Sequence, residues 1–216
     1  MKIAKGSNYW IMSSFIGCII FFIFFIFFRE QVIGAIFFFV FIITVLITII
    51  LILFFRDPDR YIGKGIISSA DGIVRELINL KDADVGNCIR ISIFMNLYNV
   101  HVNRMPMEGT IKSIVHKKGF HLPAFKKESE KNEQVIIIVN TIIGTIKIVQ
   151  IAGTIARRIV PYIQEGNKLK KGEKIGIIRF GSRVDVYLPR KSIKNIKVKK
   201  GQIVKAGEST IAEVND

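Results

Sequence analysis

Two long apolar runs near the N-terminus constrain the fold of this chain more than any other feature. The first run covers 19 residues without a charge (10–28), and the second covers 24 (32–55). At about 1.5 Å per residue, each run is long enough to form an α-helix that crosses a hydrocarbon core of about 30 Å. Because only residues 29–31 lie between the runs, we expect a tight antiparallel helical hairpin over residues 1–55.

The charges that flank the hairpin predict its orientation. Lys2 and Lys5 precede the first run, and Arg56, Arg60 and Lys64 follow the second. Because cytoplasmic segments of membrane proteins carry an excess of Lys and Arg, both ends are predicted to lie on the cytoplasmic face of the cell membrane. A hairpin that enters one leaflet and returns through it remains an alternative. In either case the rest of the chain is tethered to a bilayer.

Residues 56–216 have the pattern of a mainly-β domain. Short Ile- and Val-rich runs are separated by Gly, Asn and Lys turns, which is typical of strands. The predicted strands cover 88–94, 134–139, 142–151 and 193–198, and the best candidates for short helices are 124–131 and 154–162. The predicted fold class is therefore a transmembrane α-helical hairpin followed by a mainly-β (α+β) domain.

A faint internal repeat adds one detail to this fold class. The segment L-K-K-G-E-K-I-G at 169–176 resembles V-K-K-G-Q-I-V-K-A-G-E at 198–208. Two copies of this pattern suggest paired hairpins, similar to the two halves of a lipoyl- or biotinyl-type sandwich. A carrier function is not supported, because no lysine flanked by Met or Ala stands at a hairpin tip.

Charge restricts the partners that the β domain could bind. Residues 56–216 hold 29 of the 32 Lys and Arg and 16 of the 17 Asp and Glu, which gives a net charge of +13. Such a surface favours polyanions, either nucleic acid or an anionic membrane face. Since the aromatic residues lie mainly in the apolar runs, a nucleic-acid partner is not expected. The two Cys, Cys18 and Cys88, give no disulfide framework and no metal-ligand spacing, and no metal site is predicted.

A Gly-Ser pair joins two predicted strands within residues 174–189. Apolar residues alternate with Arg183 and Asp185 after the pair, which is the pattern of a half-buried strand. Gly181 tolerates backbone conformations that are closed to other residues. The Ser182 hydroxyl could attack the carbonyl that precedes it, if the peptide is strained and a base is near. Taken alone, such a pair is more typical of a kink or bulge in a hairpin.

The surrounding residues resemble a known family. The stretch F-G-S-R-V-D-V-Y-L-P at 180–189 resembles the self-cleavage motif of the phosphatidylserine decarboxylase proenzymes, in particular their short membrane-bound form. Four more blocks resemble the family in order along the chain: F-F-R-D-P-D-R at 54–60, S-S-A-D-G at 68–72, V-H-V-N-R-M-P-M-E-G at 100–109 and Q-I-A-G-T-I-A-R-R-I-V at 150–160. Three positions depart from the family pattern: Ser69 replaces Pro, Arg104 replaces a His of longer members, and Gln134 replaces Arg.

The resemblance implies self-cleavage between Gly181 and Ser182. The products would be a β chain of residues 1–181 and an α chain of residues 182–216, which stay associated as a heterodimer, and a higher oligomer is left open. In the family the serine becomes a covalent pyruvoyl group. That group forms a Schiff base with phosphatidylserine in the membrane, so that CO₂ leaves and phosphatidylethanolamine is released.

The resemblance also implies roles for other residues. His101 would act as the base for Ser182, and Asp71 would orient His101, as in a Ser-His-Asp arrangement. Arg157 and Arg158 are candidates for substrate binding, because planar guanidinium groups hold phosphate and carboxylate well. His121 is a third candidate, since it lies in a loop that we place on the substrate side.

A membrane-tethered, non-enzymatic β-sandwich adaptor is the competing hypothesis. It would account for the hairpin, the internal repeat and the positive charge. It gives no task to Gly181, Ser182 or His101. The mass of the purified chain would separate the two hypotheses, because only the proenzyme cuts itself.

Overall fold

A computed structural model describes residues 2–120, 131–153, 158–179 and 182–215 of the chain. The chain divides into two compact units, Met1–Asp59 and Arg60–Asp216. The first unit contains β1 (Lys2–Ile3), α1 (Asn8–Phe28), α2 (Val32–Phe54) and β2 (Arg56–Asp57). The strands of the second unit are β3 (Ile66–Ile67), β4 (Gly72–Asp82), β5 (Gly86–Met95), β6 (Val102–Arg104), β7 (Gly109–Lys117), β8 (Gln134–Thr141), β9 (Gly144–Ala152), β10 (Ile159–Pro161), β11 (Lys168–Leu169), β12 (Lys174–Ile178), β13 (Ser182–Pro189), β14 (Ile193–Ile196), β15 (Ile203–Val204) and β16 (Thr210–Val214).

The two helices of the first unit form the predicted hairpin. The rings of Phe24 and Phe37 stack at 5.1 Å near the turn, and Ser14 Oγ lies 2.8 Å from Thr48 Oγ1 toward the other end, so α1 and α2 run antiparallel. Both helices are long and apolar enough to cross a membrane. The short strands β1 and β2 pair with each other, so the two ends of the hairpin lie side by side. The helical part of the predicted fold class is confirmed.

The second unit is mainly β, as predicted, and its largest sheet has eight antiparallel strands. Their order is β11-β7-β8-β9-β13-β5-β4-β15. All four predicted strands are confirmed, and they correspond to β5, β8, β9 and β14. Ile and Val dominate them because branched side chains pack well on a pleated surface. The core is one continuous cluster, and its members from β13 include Val184, Val186 and Leu188. Strand β13 is therefore a central strand of the domain.

The described residues of this unit also form two small sheets, with orders β10-β12-β6 and β14-β16-β3. Strand β10 corrects the prediction of a helix over 154–162. Ile159 pairs with Ile178 and Pro161 pairs with Gly176, so residues 159–161 form a strand along β12. Long-range pairing decides the conformation here, and a local pattern does not contain that information. Residues 154–157, and nearly all of the second predicted helix at 124–131, lie outside the described residues.

The internal repeat corresponds to two turns with the same hydrogen bond. Lys170 N–H donates to Glu173 Oε2 in the first turn, and Lys199 N–H donates to Gln202 Oε1 in the second, both at 3.1 Å. The glycine within each turn has a positive φ, 85° and 87°, which explains why that position is Gly in both copies. The turns lead into β12 and β15. The likeness to a lipoyl- or biotinyl-type sandwich stays a prediction.

Candidate functional site

Ser182 is the first residue of β13 and is completely buried. It pairs with Met95 of β5 on one side and with Ala152 of β9 on the other. Its Oγ has no hydrogen-bond partner among the described residues. Because a buried hydroxyl without a partner costs free energy, such an atom is rare in a folded protein and calls for an explanation. Gly181 lies outside the described residues.

His101 is also completely buried and directly precedes β6. Its Nδ1 lies 2.9 Å from the backbone oxygen of Asn99. Because a carbonyl oxygen can only accept, Nδ1 carries the proton in this contact, and Nε2 is the basic nitrogen of the neutral ring. The backbone oxygen of His101 accepts a hydrogen bond from Ile178 N–H at 3.3 Å. This bond fixes His101 to the strand that precedes Ser182.

A chain of contacts connects the segment of His101 to Ser182. Asn103, two residues after His101, donates from Nδ2 to the Sδ of Met95 at 3.6 Å. Met95 is the cross-strand partner of Ser182. Asn103 Oδ1 also accepts a hydrogen bond of 2.8 Å from Nε2 of Gln150 on β9. The side chains of Met95, Asn103, Gln150 and Ser182 are all completely buried. The hydrogen bond between Asn103 and Gln150 is therefore a polar contact inside an apolar core.

The sequence analysis gave Asn103 and Gln150 no role. Both lie in blocks that resemble the family, but neither is a nucleophile or a base. Gln150 Oε1 has no hydrogen-bond partner among the described residues, which makes it a second buried polar atom in need of an explanation. The sequence clue that could have identified Asn103 and Gln150 is that they are polar, whereas the other core-facing residues of their strands are apolar.

Asp71 lies just before β4, where two groups hold its carboxylate. Oδ1 accepts a hydrogen bond of 2.7 Å from the backbone N–H of Ala206, and Oδ2 lies 2.8 Å from Arg60 Nη2. Gly72 directly follows Asp71, and only glycine fits at this position, since a Cβ there would lie 2.1 Å from the backbone oxygen of Phe94. Orientation of His101 by Asp71 stays a prediction.

Two arginines lie at the same end of the pairing between β10 and β12. Arg158 is exposed just before β10, and Arg179 is partly buried just after β12. Arg179 N–H donates to the backbone oxygen of Arg158 at 3.2 Å. Burial and the positive charge of Arg158 together lower the pKa of Arg179. Two guanidinium groups that repel each other form a place where an anion is stabilised. The other candidates for substrate binding, Arg157 and His121, lie outside the described residues.

The prediction that the strand after the Gly-Ser pair is half-buried was wrong. Both faces of β13 are covered, because Arg183 and Asp185 on the second face are only 6% and 1% exposed. They form an ion pair, with Arg183 Nη2 3.0 Å from Asp185 Oδ2. Burial raises the pKa of the Asp185 carboxyl, against the opposing effect of Arg183.

Within the described ranges, no group of three or more His, Cys, Asp or Glu side chains could hold a metal ion.

Comparisons with known proteins identify relatives of this chain. The family model described as phosphatidylserine decarboxylase matches residues 47–212. A phosphatidylserine decarboxylase proenzyme of Streptomyces griseus is 50% identical over 162 residues, which is 74% of this chain and 73% of that protein. A putative archaetidylserine decarboxylase proenzyme of Methanococcoides burtonii is 46% identical over 173 residues, 79% of this chain and 78% of that protein. A putative archaetidylserine decarboxylase proenzyme of Methanosarcina barkeri is 40% identical over 216 residues, 98% of each chain.

Proposed function

Because the chain belongs to the phosphatidylserine decarboxylase family, we propose that it is a membrane-tethered proenzyme that cuts itself between Gly181 and Ser182. The mature enzyme decarboxylates phosphatidylserine to phosphatidylethanolamine. The observation that carries this proposal is the completely buried Ser182 hydroxyl, which has no hydrogen-bond partner among the described residues. Its strand partner Met95 contacts Asn103, two residues after His101.

Self-cleavage follows from the chemistry of these two residues. The Nε2 of His101 takes the proton of the Ser182 hydroxyl, and Oγ attacks the carbonyl carbon of Gly181. The peptide C–N bond breaks, the nitrogen gains a proton, and an ester joins the two residues. Loss of the Cα proton of Ser182 then expels the Gly181 carboxylate and leaves dehydroalanine. Hydrolysis with one water gives a pyruvoyl group at position 182 and releases ammonia.

The surroundings of Ser182 fit a buried carbonyl group. Met95 and Ala152 flank it within the sheet and exclude water, and Gln150 and Asn103 supply amide groups nearby. A pyruvoyl group supplies an electron sink for the pair of electrons that remains when CO₂ departs. The protein's share of the work is to bind the lipid, to keep the site dry and to hold protons where they are needed.

The head group of the substrate is an anion, and Arg158 and Arg179 are our candidates to hold it. They lie at the same end of the pairing between β10 and β12, and Arg179 is close in sequence to Ser182. Arg157 belongs to the same proposal by its position in the sequence. Binding of a phosphate or carboxylate would relieve the repulsion between the two guanidinium groups, which is the physical reason to place the head group there.

The membrane hairpin fits a substrate that stays in the bilayer. The domain after it carries a net charge of +13, which favours an anionic lipid surface. The pairing of β1 with β2 places both ends of the hairpin together, and the Lys and Arg residues beside them favour the cytoplasmic face. A tag after Asp216 should be digested in inside-out vesicles and protected in sealed right-side-out vesicles. The reverse pattern would contradict this orientation.

The test of the proposed function combines a fragment pattern with an activity. The purified chain should separate on a denaturing gel into residues 1–181 and a fragment of 35 residues (182–216), and mass spectrometry should find a pyruvoyl group in place of an amine at the start of the smaller one. The matched control is Ser182→Ala, which should stay full length and inactive because it lacks the hydroxyl. Activity is CO₂ release from the labelled serine carboxyl.

The substrate arms of this test use phosphatidylserine and archaetidylserine, because relatives carry both names. The two lipids share the serine head group. Full activity from an uncut chain would contradict self-cleavage. A cut chain that releases no CO₂ from either lipid would contradict the decarboxylase, and a chain that is both uncut and inactive would favour the adaptor.

A further inference from the structure

The Arg60 side chain lies in an ion-pair cluster that includes Asp71. It is 7% exposed, and its two terminal nitrogens bind different carboxylates. Nη2 lies 2.8 Å from Asp71 Oδ2, and Nη1 lies 3.1 Å from Glu208 Oε1. A buried charge needs compensation by a partner, and here one guanidinium compensates two acids.

Two backbone hydrogen bonds hold the segments around this cluster together. Gly63 N–H donates to the backbone oxygen of Gly207, and Gly207 N–H donates to that of Ser68, both at 2.9 Å. The turn at 206–208 therefore lies between the segment of Arg60 and the segment of Asp71. Position 207 has a φ of +85°. A Cβ at this glycine would lie 3.1 Å from Arg104 Cδ and 3.5 Å from Arg60 Cβ, so the arginines approach the turn closely.

The same contacts cross the two future chains. Arg60 and Asp71 belong to residues 1–181, whereas Ala206 and Glu208 belong to residues 182–216. The Asp71 carboxylate accepts one hydrogen bond from Arg60 and another from Ala206 N–H, so both of its oxygens are fixed in direction. The position of Asp71 thus depends on groups 11 and 135 residues away along the chain.

We propose that Arg60 is a positioning residue for self-cleavage, which acts by holding the Asp71 carboxylate, and that Glu208 holds Arg60 in turn. This inference rests on the proposed function together with the prediction, taken from the family resemblance, that Asp71 assists His101. It has a consequence for timing. The cluster is complete only when residues 206–208 have folded onto the segment of Asp71, so cleavage waits until the C-terminal part of the chain is in place.

The test is a double-mutant cycle on the rate of self-cleavage. The variants Arg60→Met, Asp71→Asn and the double variant are made by cell-free translation with lipid vesicles, and loss of the full-length chain is followed on gels. Loss of one charge-assisted contact should slow cleavage by about 10- to 100-fold in each single variant. The double variant should be no slower than Asp71→Asn, because Arg60 acts through Asp71.

Three further variants separate positioning from general stability. Arg60→Lys keeps the charge and should restore part of the rate, which also serves if Arg60→Met does not fold. Glu208→Gln should slow cleavage less than Arg60→Met, since the contact to Asp71 remains. Arg90→Met is the matched control: it removes a similar pair, Arg90 Nη2 to Glu76 Oε2 at 3.0 Å, and should cut at the parent rate.

The outcomes distinguish this inference from the proposed function. If the rate losses of the two single variants multiply in the double variant, Arg60 does not act through Asp71. That result, or a parent-like rate in both Arg60→Met and Arg60→Lys, would overturn the role of Arg60 and leave the proposed function standing. A parent chain that never cuts would overturn the proposed function, and the inference with it. A parent-like rate for Asp71→Asn would remove Asp71 from the mechanism and thereby overturn the inference.

Discussion

His101→Ala should leave the chain largely uncut, and the structure allows the size of the effect to be estimated. Loss of a positioned general base slows a reaction by about 10²- to 10⁴-fold. Cleavage that finishes during expression would then extend over hours or days. The ring is completely buried, so its removal also leaves a cavity, and such changes destabilise a core by about 2–5 kcal/mol. Slow cutting by this variant alone would therefore have two explanations.

His101→Gln separates the two effects. Glutamine fills most of the volume of the imidazole, and its amide N–H can donate to the backbone oxygen of Asn99 as Nδ1 does in the parent at 2.9 Å. An amide is not a base at neutral pH. We therefore expect a melting temperature near that of the parent, together with a cleavage rate as low as that of His101→Ala.

The assay is a time course of full-length chain after pulse labelling, with thermal unfolding measured on the same preparations. Ser182→Ala gives the baseline of a chain that cannot cut. If His101→Gln melts like the parent and also matures at the parent rate, His101 is not the base, and the assignment of His101 and Ser182 as a catalytic pair is refuted.

Three further outcomes are expected. Arg158→Met should still cut itself but show a KM for the serine phospholipid raised about 10-fold, because a charge-assisted contact is lost; a KM equal to that of the parent would refute this role. A tag on residues 1–181 should retain residues 182–216 in gel filtration until urea unfolds the domain, since β13 is a central strand. Lys147→Met should lower the free energy of unfolding at pH 7 by about 1–3 kcal/mol in urea titrations. Burial opposes both charges, but the contacts between Lys147 and Asp82 lower the pKa of Asp82 below 3.8 and raise that of Lys147 above 10.5. The difference in stability between parent and variant should therefore disappear as the pH falls through the folded pKa of Asp82, and also as it rises through the folded pKa of Lys147.

Local patterns in the sequence were sufficient to predict those helices and strands whose surroundings are the same along their whole length. The helices could be predicted because an apolar run of membrane length permits few other structures. Strand β9 could be predicted because its Ile- and Val-rich run lies within one sheet along its whole length. Residues 159–161 were assigned to a helix wrongly, since their strand conformation depends on pairing with β12, and no local pattern contains the position of a partner strand.

The site was predictable only in part for the same reason. Ser182 could be identified from its neighbours in the chain. The contact between Asn103 and Gln150 joins residues 47 positions apart, and the one between Arg60 and Glu208 joins residues 148 positions apart. Such contacts follow from the order of strands, which polarity and spacing do not determine. The burial of Asp185 likewise depends on what covers the second face of the sheet.

Strand β12 and strand β13, which lie before and after the proposed cleavage point in the sequence, belong to different sheets, and this arrangement would allow the chain to be cut and remain folded. Strand β12 ends in the sheet that contains β6 and His101 precedes β6, whereas β13 begins in the eight-stranded sheet. The proposed base and the proposed nucleophile thus come from different sheets, and the proposed cut falls in the connection between β12 and β13. All eight residues of β13 pair with β5, and the first six also pair with β9. Because the proposed cut breaks none of these strand pairings, we expect the new N-terminus at position 182 to stay in the sheet between Met95 and Ala152.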